Sequence, residues 1–173
     1  DLNIKPEDRI SITGNNGCGK STLIKKIISE LNISNNRLTY IPQEIDISSS
    51  KEILNRVRSL DRPGLGKLMS IISCLGSRPE RLLQSSSPSP GETRKILLAL
   101  GMMNEPHIIV MDEPTNHMDL DSITAIEDAL NEVNCSLLLV SHDRIFLDRL
   151  TDINWDIAED DKNEHYCLNV ILK

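Results

Sequence analysis

The spacing of apolar residues changes period several times along the chain. RISIT (9–13) alternates apolar and polar positions, the two-residue period of a strand with one buried face. LIKKIISE follows, and the spacing predicts a helix over 20–31. RLTYIP (37–42) is a short β-branched run that predicts a second strand. From 48 to 83 the period becomes helical, with Ile53, Leu54 and Val57, then Leu65, Leu68, Met69, Ile71 and Ile72; Pro63-Gly64 is the expected break between two helices. SSSPSPGE is punctuation, and 92–103 reads as an amphipathic helix. HIIVMD (107–112) and SLLLV (136–140) are apolar runs of the kind that fill a parallel sheet buried on both faces. Helices are expected at 121–133 and 143–150, and INWDI and YCLNVIL read as final strands.

Strands alternating with helices predict an α/β fold with a mostly parallel sheet flanked by helices. The all-helical middle is expected to be an inserted α-helical subdomain. One domain over 1–173 is therefore anticipated, with a core from 1–47 and 104–173 and the helical part at 48–103. A chain of 173 residues can bury one good core, and 39% hydrophobic with 26% charged residues is ordinary for a globular domain. With aromatics at 2%, that core must be built from Ile, Leu, Val and Met. The net charge of −7 argues against direct nucleic-acid binding by this chain. Cys18, Cys74, Cys135 and Cys167 show no zinc spacing and read as reduced thiols of the cytoplasm. No apolar run approaches the twenty or so residues that cross a bilayer. The chain opens at Asp1 and enters a strand almost at once, which predicts a piece of a longer protein.

The chemistry concentrates first in GNNGCGKST (14–22), between the first strand and its helix. A loop that wraps phosphate must point successive N–H groups inward, through backbone angles that side chains obstruct, so glycine is favoured. The helix behind it adds unpaired N–H groups and the positive end of its dipole. Gly14 to Ser21 fits the pattern G-x-x-x-x-G-K-[ST] in full. Lys20 can then reach the β- and γ-phosphates, and Ser21 can offer its hydroxyl to Mg²⁺. A nucleoside triphosphate is the expected ligand. MDEP supplies the second element: Asp112 and Glu113 close an apolar strand, where open α/β sheets place their ligands. One carboxylate suits the Mg²⁺ shell and its neighbour suits an attacking water.

Together these stretches resemble the ATP-binding cassette (ABC) ATPases, P-loop NTPases. GNNGCGKS resembles their Walker A loop, IIVMDE their Walker B strand and SPGE their signature motif. Gln43 in YIPQE resembles the Q-loop glutamine, Met118-Asp119 lies where the D-loop falls, and His142 in VSHD resembles the switch histidine. DEPTNHMD is similar to the DEPTNHLD of the ABC-F subfamily, whereas transporters more often carry a DEPTSALD-like stretch. ABC-F proteins are soluble, carry two cassettes, and in many cases act on the ribosome, in translation or antibiotic resistance.

The resemblance implies a Mg-dependent ATPase whose cassettes pair head to tail. Gly14, Asn15, Asn16, Gly17, Cys18, Gly19, Lys20, Ser21 and Thr22 would grip ATP, with no catalytic role for Cys18. Ser21, Gln43 and Asp112 would arrange Mg²⁺. Glu113 would be the general base and His142 would contact the γ-phosphate. Ser89, Gly91 and Glu92 would serve the nucleotide of a second cassette, and Asp119 and His117 would lie near that partner. The implied partners are this second cassette and, through a longer protein, the ribosome. The signature departs from the family pattern at Pro88, usually leucine, and Pro90, usually glycine. No aromatic precedes Tyr40 to stack on adenine. Two other functions share these motifs: the nucleotide-binding subunit of a membrane transporter, and an ATP-gated binding module with little hydrolysis.

Overall fold

The computed structural model describes residues 2–79, 88–116, 118–160 and 165–173. Six strands form one sheet in the order β2-β3-β4-β1-β5-β6: β1 (Arg9–Gly14), β2 (Leu38–Ile41), β3 (Ile108–Asp112), β4 (Ser136–Val140), β5 (Ile153–Asp160) and β6 (His165–Leu172). The first five run parallel, and β6 pairs antiparallel with β5. Alternation along β3 and β4 splits the core in two. Val110, Leu138 and Val140 join Ile10, Ile12, Trp155 and Ile24 of α1 (Lys20–Glu30) on one face. Ile109, Met111, Leu137 and Leu139 face the remaining helices on the other. Those are α2 (Ile47–Arg58), α3 (Arg62–Cys74), α4 (Pro90–Met102), α5 (Leu120–Glu132) and α6 (Arg144–Leu150). The helices between β2 and β3 thus share the core of one sheet face, through Ile53, Val57, Leu68, Ile72 and Leu98.

Side chains cap five of these six helices. Asp46, Asp61, Ser89, Asp119 and Asp143 each accept an N–H from the first turn of α2 to α6, at 2.7 to 3.2 Å. Helix α1 starts differently. Its N-cap is Gly19, in a left-handed conformation at φ 95°, with no side-chain cap. The opening N–H groups of α1 therefore have no capping side chain, as a helix that serves an anion requires.

Two expectations from spacing change. Pro63-Gly64 does not separate the helices; both lie in the first turn of α3, where a missing proline N–H costs nothing and Gly64 N donates to Asp61 Oδ1. Helix α4 begins at Pro90 and is not simply amphipathic: Thr93, Arg94 and Lys95 are buried alongside Ile96, Leu98, Ala99 and Leu100. The helical spacing expected through Leu83, the start of SSSPSPGE and His117 fall outside the described residues.

Gly101 shows why α4 can lie so close to β2. A Cβ there would stand 2.2 Å from Thr39 Oγ1 and 2.3 Å from its Cγ2. Alanine would gain about 1 kcal/mol of helix propensity. Forced overpacking costs about 1–3 kcal/mol, and buried Thr39 has little room to yield. Gly101→Ala should therefore lower the melting temperature by about 2–4 °C for each kcal/mol of net loss, measured by calorimetry. An unchanged or higher melting temperature would show that the α4–β2 contact is looser than this.

Candidate functional site

The carboxyl ends of β1, β3 and β4 meet on one rim, because Asp112 pairs with Val140 and Val140 with Ile12 across adjacent strands. The loop after β1 lies over that rim. Gly14 has φ 147°, and a Cβ on it would sit 2.7 Å from Ile157 O and 2.8 Å from Cys18 Sγ. Only glycine passes there. Lys20 Nζ donates to Gly14 O and Asn15 O, both at 3.0 Å, so its ammonium braces the loop from inside.

A cleft of about 500 Å³ opens in front of the loop. Asn16, Gly17, Gly19, Lys20, Ser21 and Thr22 line one wall; Gln43, Asp112, Glu113, Asn116, Val140 and His142 line the other. The expected phosphate-gripping, metal-holding and catalytic residues therefore converge, with three exceptions. Gly14 and Asn15 border a neighbouring hollow of about 700 Å³ that reaches Arg144 and Asp156. Cys18 is 6% exposed, packed into the core on the α1 face, and its thiol does not reach the cleft. Its Sγ lies close against Gly14, where a Cβ on that glycine would stand 2.8 Å away.

Glu113 is the most constrained side chain here. It is 5% exposed, and its backbone sits at φ 52°, left-handed for a non-glycine residue. Such a conformation costs about 1–3 kcal/mol and persists only where neighbours over-determine it. Glu113 N donates to Val140 O at 2.8 Å, which pins the turn. Oε2 accepts His142 N at 3.2 Å. Oε1 lies 3.3 Å from His142 Nε2, yet the alignment does not make a hydrogen bond, so that buried oxygen has no donor among the described residues. Thr115 and Ser141 hydroxyls, 3.2 Å apart, tie the two turns together. Burial, then the nearby charge of Asp112, raises the Tyr40 phenol above its ordinary pKa.

The donor set suits Mg²⁺. Among the described residues no group of three or more His, Cys, Asp or Glu could hold a metal alone. Mg²⁺ usually takes one or two carboxylates and completes its shell with water and phosphate. Ser21, Gln43 and Asp112 offer oxygens on one cleft, and Asp112 is 3% exposed.

Ser89, Gly91, Glu92 and Asp119 stand elsewhere, around a separate pocket of about 440 Å³ with Arg78, Lys95 and Ser122. Ser89 and Glu92 form a reciprocal capping box, at 3.2 Å from Glu92 N to Ser89 Oγ and 2.8 Å from Ser89 N to Glu92 Oε2. Pro90 has no N–H, which leaves the Gly91 amide and the Ser89 hydroxyl proton as donors in that turn. Lys95 Nζ donates to Ser122 Oγ at 2.7 Å; burial lowers its pKa, with Asp119 and Glu92 opposing the shift. Asp119 titrates below the ordinary range, chiefly because Ser122 N donates to it. Sequence spacing missed Asn116, Arg94 and Lys95. Two adjacent cations inside an apolar helix were the available signal.

The protein-family model for ABC transporters matches residues 1–116. The chain is 32% identical over 161 residues to the ATP-binding protein Uup of Caulobacter vibrioides, covering 88% of this chain and 26% of that protein. It is 30% identical over 185 residues to the zinc import ATP-binding protein ZnuC of Pasteurella multocida, covering 97% and 65%. The chain thus spans about a quarter of the length of Uup. Among solved structures, ABCE1 in a ribosome-bound complex with archaeal Pelota superposes with a TM-score of 0.75 at 21% identity, over 98% of this chain and 31% of that one. An ATP-binding subunit of an ABC transporter gives 0.65 at 23%, over 86% and 74%. Among the described residues no helix is long and apolar enough to cross a membrane. The family match spans residues 1–116, from before β1 to just beyond β3, and this chain belongs to the ABC transporter family.

Proposed function

We propose that this chain binds Mg-ATP in the 500 Å³ cleft and hydrolyses it when a second cassette supplies the signature turn. One observation carries the reading: the α-helix without a side-chain cap opens onto the cleft that holds Gln43, Asp112, Glu113 and His142. Gly17 to Thr22 would hold the β- and γ-phosphates through backbone N–H groups, with Lys20 exchanging its loop carbonyls for phosphate oxygens. Ser21, Gln43 and Asp112 would hold Mg²⁺, which neutralises charge on the phosphates. Glu113 Oε1, buried and without a donor, is placed to accept a proton from water, and His142 beside it can contact the γ-phosphate. The signature turn lines a different pocket, so each chain would carry half of two sites. The proposed nucleotide-binding core is 1–47 and 104–173, with the helical part at 48–103.

The DEPTNHMD stretch and the similarity to Uup favour half of an ABC-F-type protein of the cytoplasm. On this reading nucleotide-driven pairing does work on the ribosome, with ABCE1 in its ribosome-bound complex as a structural neighbour. Similarity to ZnuC supports the second reading, a transporter's nucleotide-binding subunit. Fusion to a second cassette in the longer protein favours the first reading, and a membrane-spanning partner favours the second.

Glu113→Gln keeps shape and removes the base. It should lower ATP turnover by about 100-fold or more while leaving ATP affinity near the parent value, and sizing with ATP should show more dimer. Parent-rate hydrolysis by Glu113→Gln would contradict the base assignment.

Lys20→Ala removes a charge-assisted contact worth about 1.5–3 kcal/mol, so ATP affinity by calorimetry should fall about 10- to 100-fold. Unchanged affinity, with melting behaviour confirming the fold, would place the phosphates elsewhere.

A further inference from the structure

Arg94 lies in α4, five residues beyond Ser89, and is 4% exposed. Its Nη1 donates to Asn116 O at 2.6 Å and its Nη2 donates to Gln43 O. Nε is buried without a partner among the described residues. Gln43 and Asn116 both line the ATP cleft, one after β2 and one after β3. A single guanidinium therefore fastens the signature helix to two loops of the chain's own nucleotide site.

Stability alone does not explain this arrangement. A buried cation held by neutral carbonyls loses hydration without the return of a carboxylate partner, and apolar replacements of such groups are often neutral or stabilising. Burial lowers the Arg94 pKa, with Glu44 opposing, yet guanidinium stays charged throughout the working range. What the planar fork offers is geometry: two donors at fixed spacing that hold two separate backbones at once, which an ammonium cannot match. The neighbouring Lys95 fixes the same turn of α4 to Ser122 at the start of α5. The turns that carry Ser89, Gln43 and Asn116 are thus braced as one unit.

We infer that Arg94 is a positioning residue: through the Gln43 and Asn116 carbonyls it sets the Gln43 side chain against the nucleotide's Mg²⁺ and couples that placement to α4. The inference rests on the ATP-binding reading above. It requires that removing the fork disturb metal placement more than phosphate binding. Arg94→Met preserves bulk without donors, whereas Arg94→Lys keeps charge but can reach one loop.

The test is ATP affinity by calorimetry, with Mg²⁺ and with EDTA, alongside thermal melting. Affinity in EDTA should match the parent in both variants, since the phosphate loop is untouched. The tightening by Mg²⁺ should fall about 10- to 100-fold in Arg94→Met, the range for residues that orient metal ligands, and recover partway in Arg94→Lys. Gln43→Ala should cost Mg²⁺-dependent affinity in the parent and add nothing in the Arg94→Met background. Parent-level Mg²⁺ dependence in a folded Arg94→Met overturns the inference; if Arg94→Met does not fold, parent-level dependence in Arg94→Lys does so. A parent chain that binds no ATP in either condition sinks the ATP-binding reading instead, a separate outcome.

Discussion

Where β1 leaves the sheet, there is no room for a side chain. Gly14 passes so near β5 that a methyl group would overlap Ile157 O and Cys18 Sγ. Because β1 is held between β4 and β5, that approach cannot relax without opening the middle of the sheet. The loop is therefore launched from a fixed point, at an angle only glycine adopts, and falls over the rim where β3 and β4 end. Helix α1 then starts without a cap, and Asp112, Glu113 and His142 come within reach of its first turn. The geometry of the proposed nucleotide site follows from that contact.

The energetics of the site run against those of the core. Asp112, Glu113, Arg94 and Lys95 are all buried, and Glu113 holds a left-handed backbone in addition. A fold optimised only for stability would not keep four buried charges and an unsatisfied carboxylate oxygen. The two isoleucine- and leucine-rich core layers offset that cost, with residues such as Ile10, Ile12, Leu137 and Leu139 fully buried. The strained Glu113 and the buried Asp112 stand at the rim, in the cleft proposed for nucleotide.

Much of this was legible in the sequence because the chemistry is local. Gly14 to Ser21 encode a loop whose shape and donors belong to the same eight residues, and MDEP encodes its strand end in the same way. The parallel sheet followed from apolar runs of length suited to strands buried on both faces. What spacing could not show were long-range contacts. Arg94 and Lys95 lie in the stretch read as an amphipathic helix, but their partners Gln43, Asn116 and Ser122 lie far along the chain. That the Cys18 side chain turns inward to the core beneath Gly14 was likewise not legible from its place in the motif. Pro63-Gly64 looked like a helix break, but proline in a first turn starts a helix as readily as it ends one.

On the proposed function, each catalytic site is shared between two cassettes. Two damaged chains can test it by complementation. Lys20→Ala disables the phosphate loop and leaves the signature turn intact, whereas Ser89→Arg blocks the signature turn and leaves the loop intact. Neither homodimer has a whole site, but a mixed dimer has one, built from the loop of the Ser89→Arg chain and the signature of the Lys20→Ala chain. At concentrations where Glu113→Gln is dimeric with ATP, mixing the two inactive variants should give ATPase activity well above either alone. A mixture that never exceeds the average of its components, or full activity in Ser89→Arg alone, would contradict the shared site.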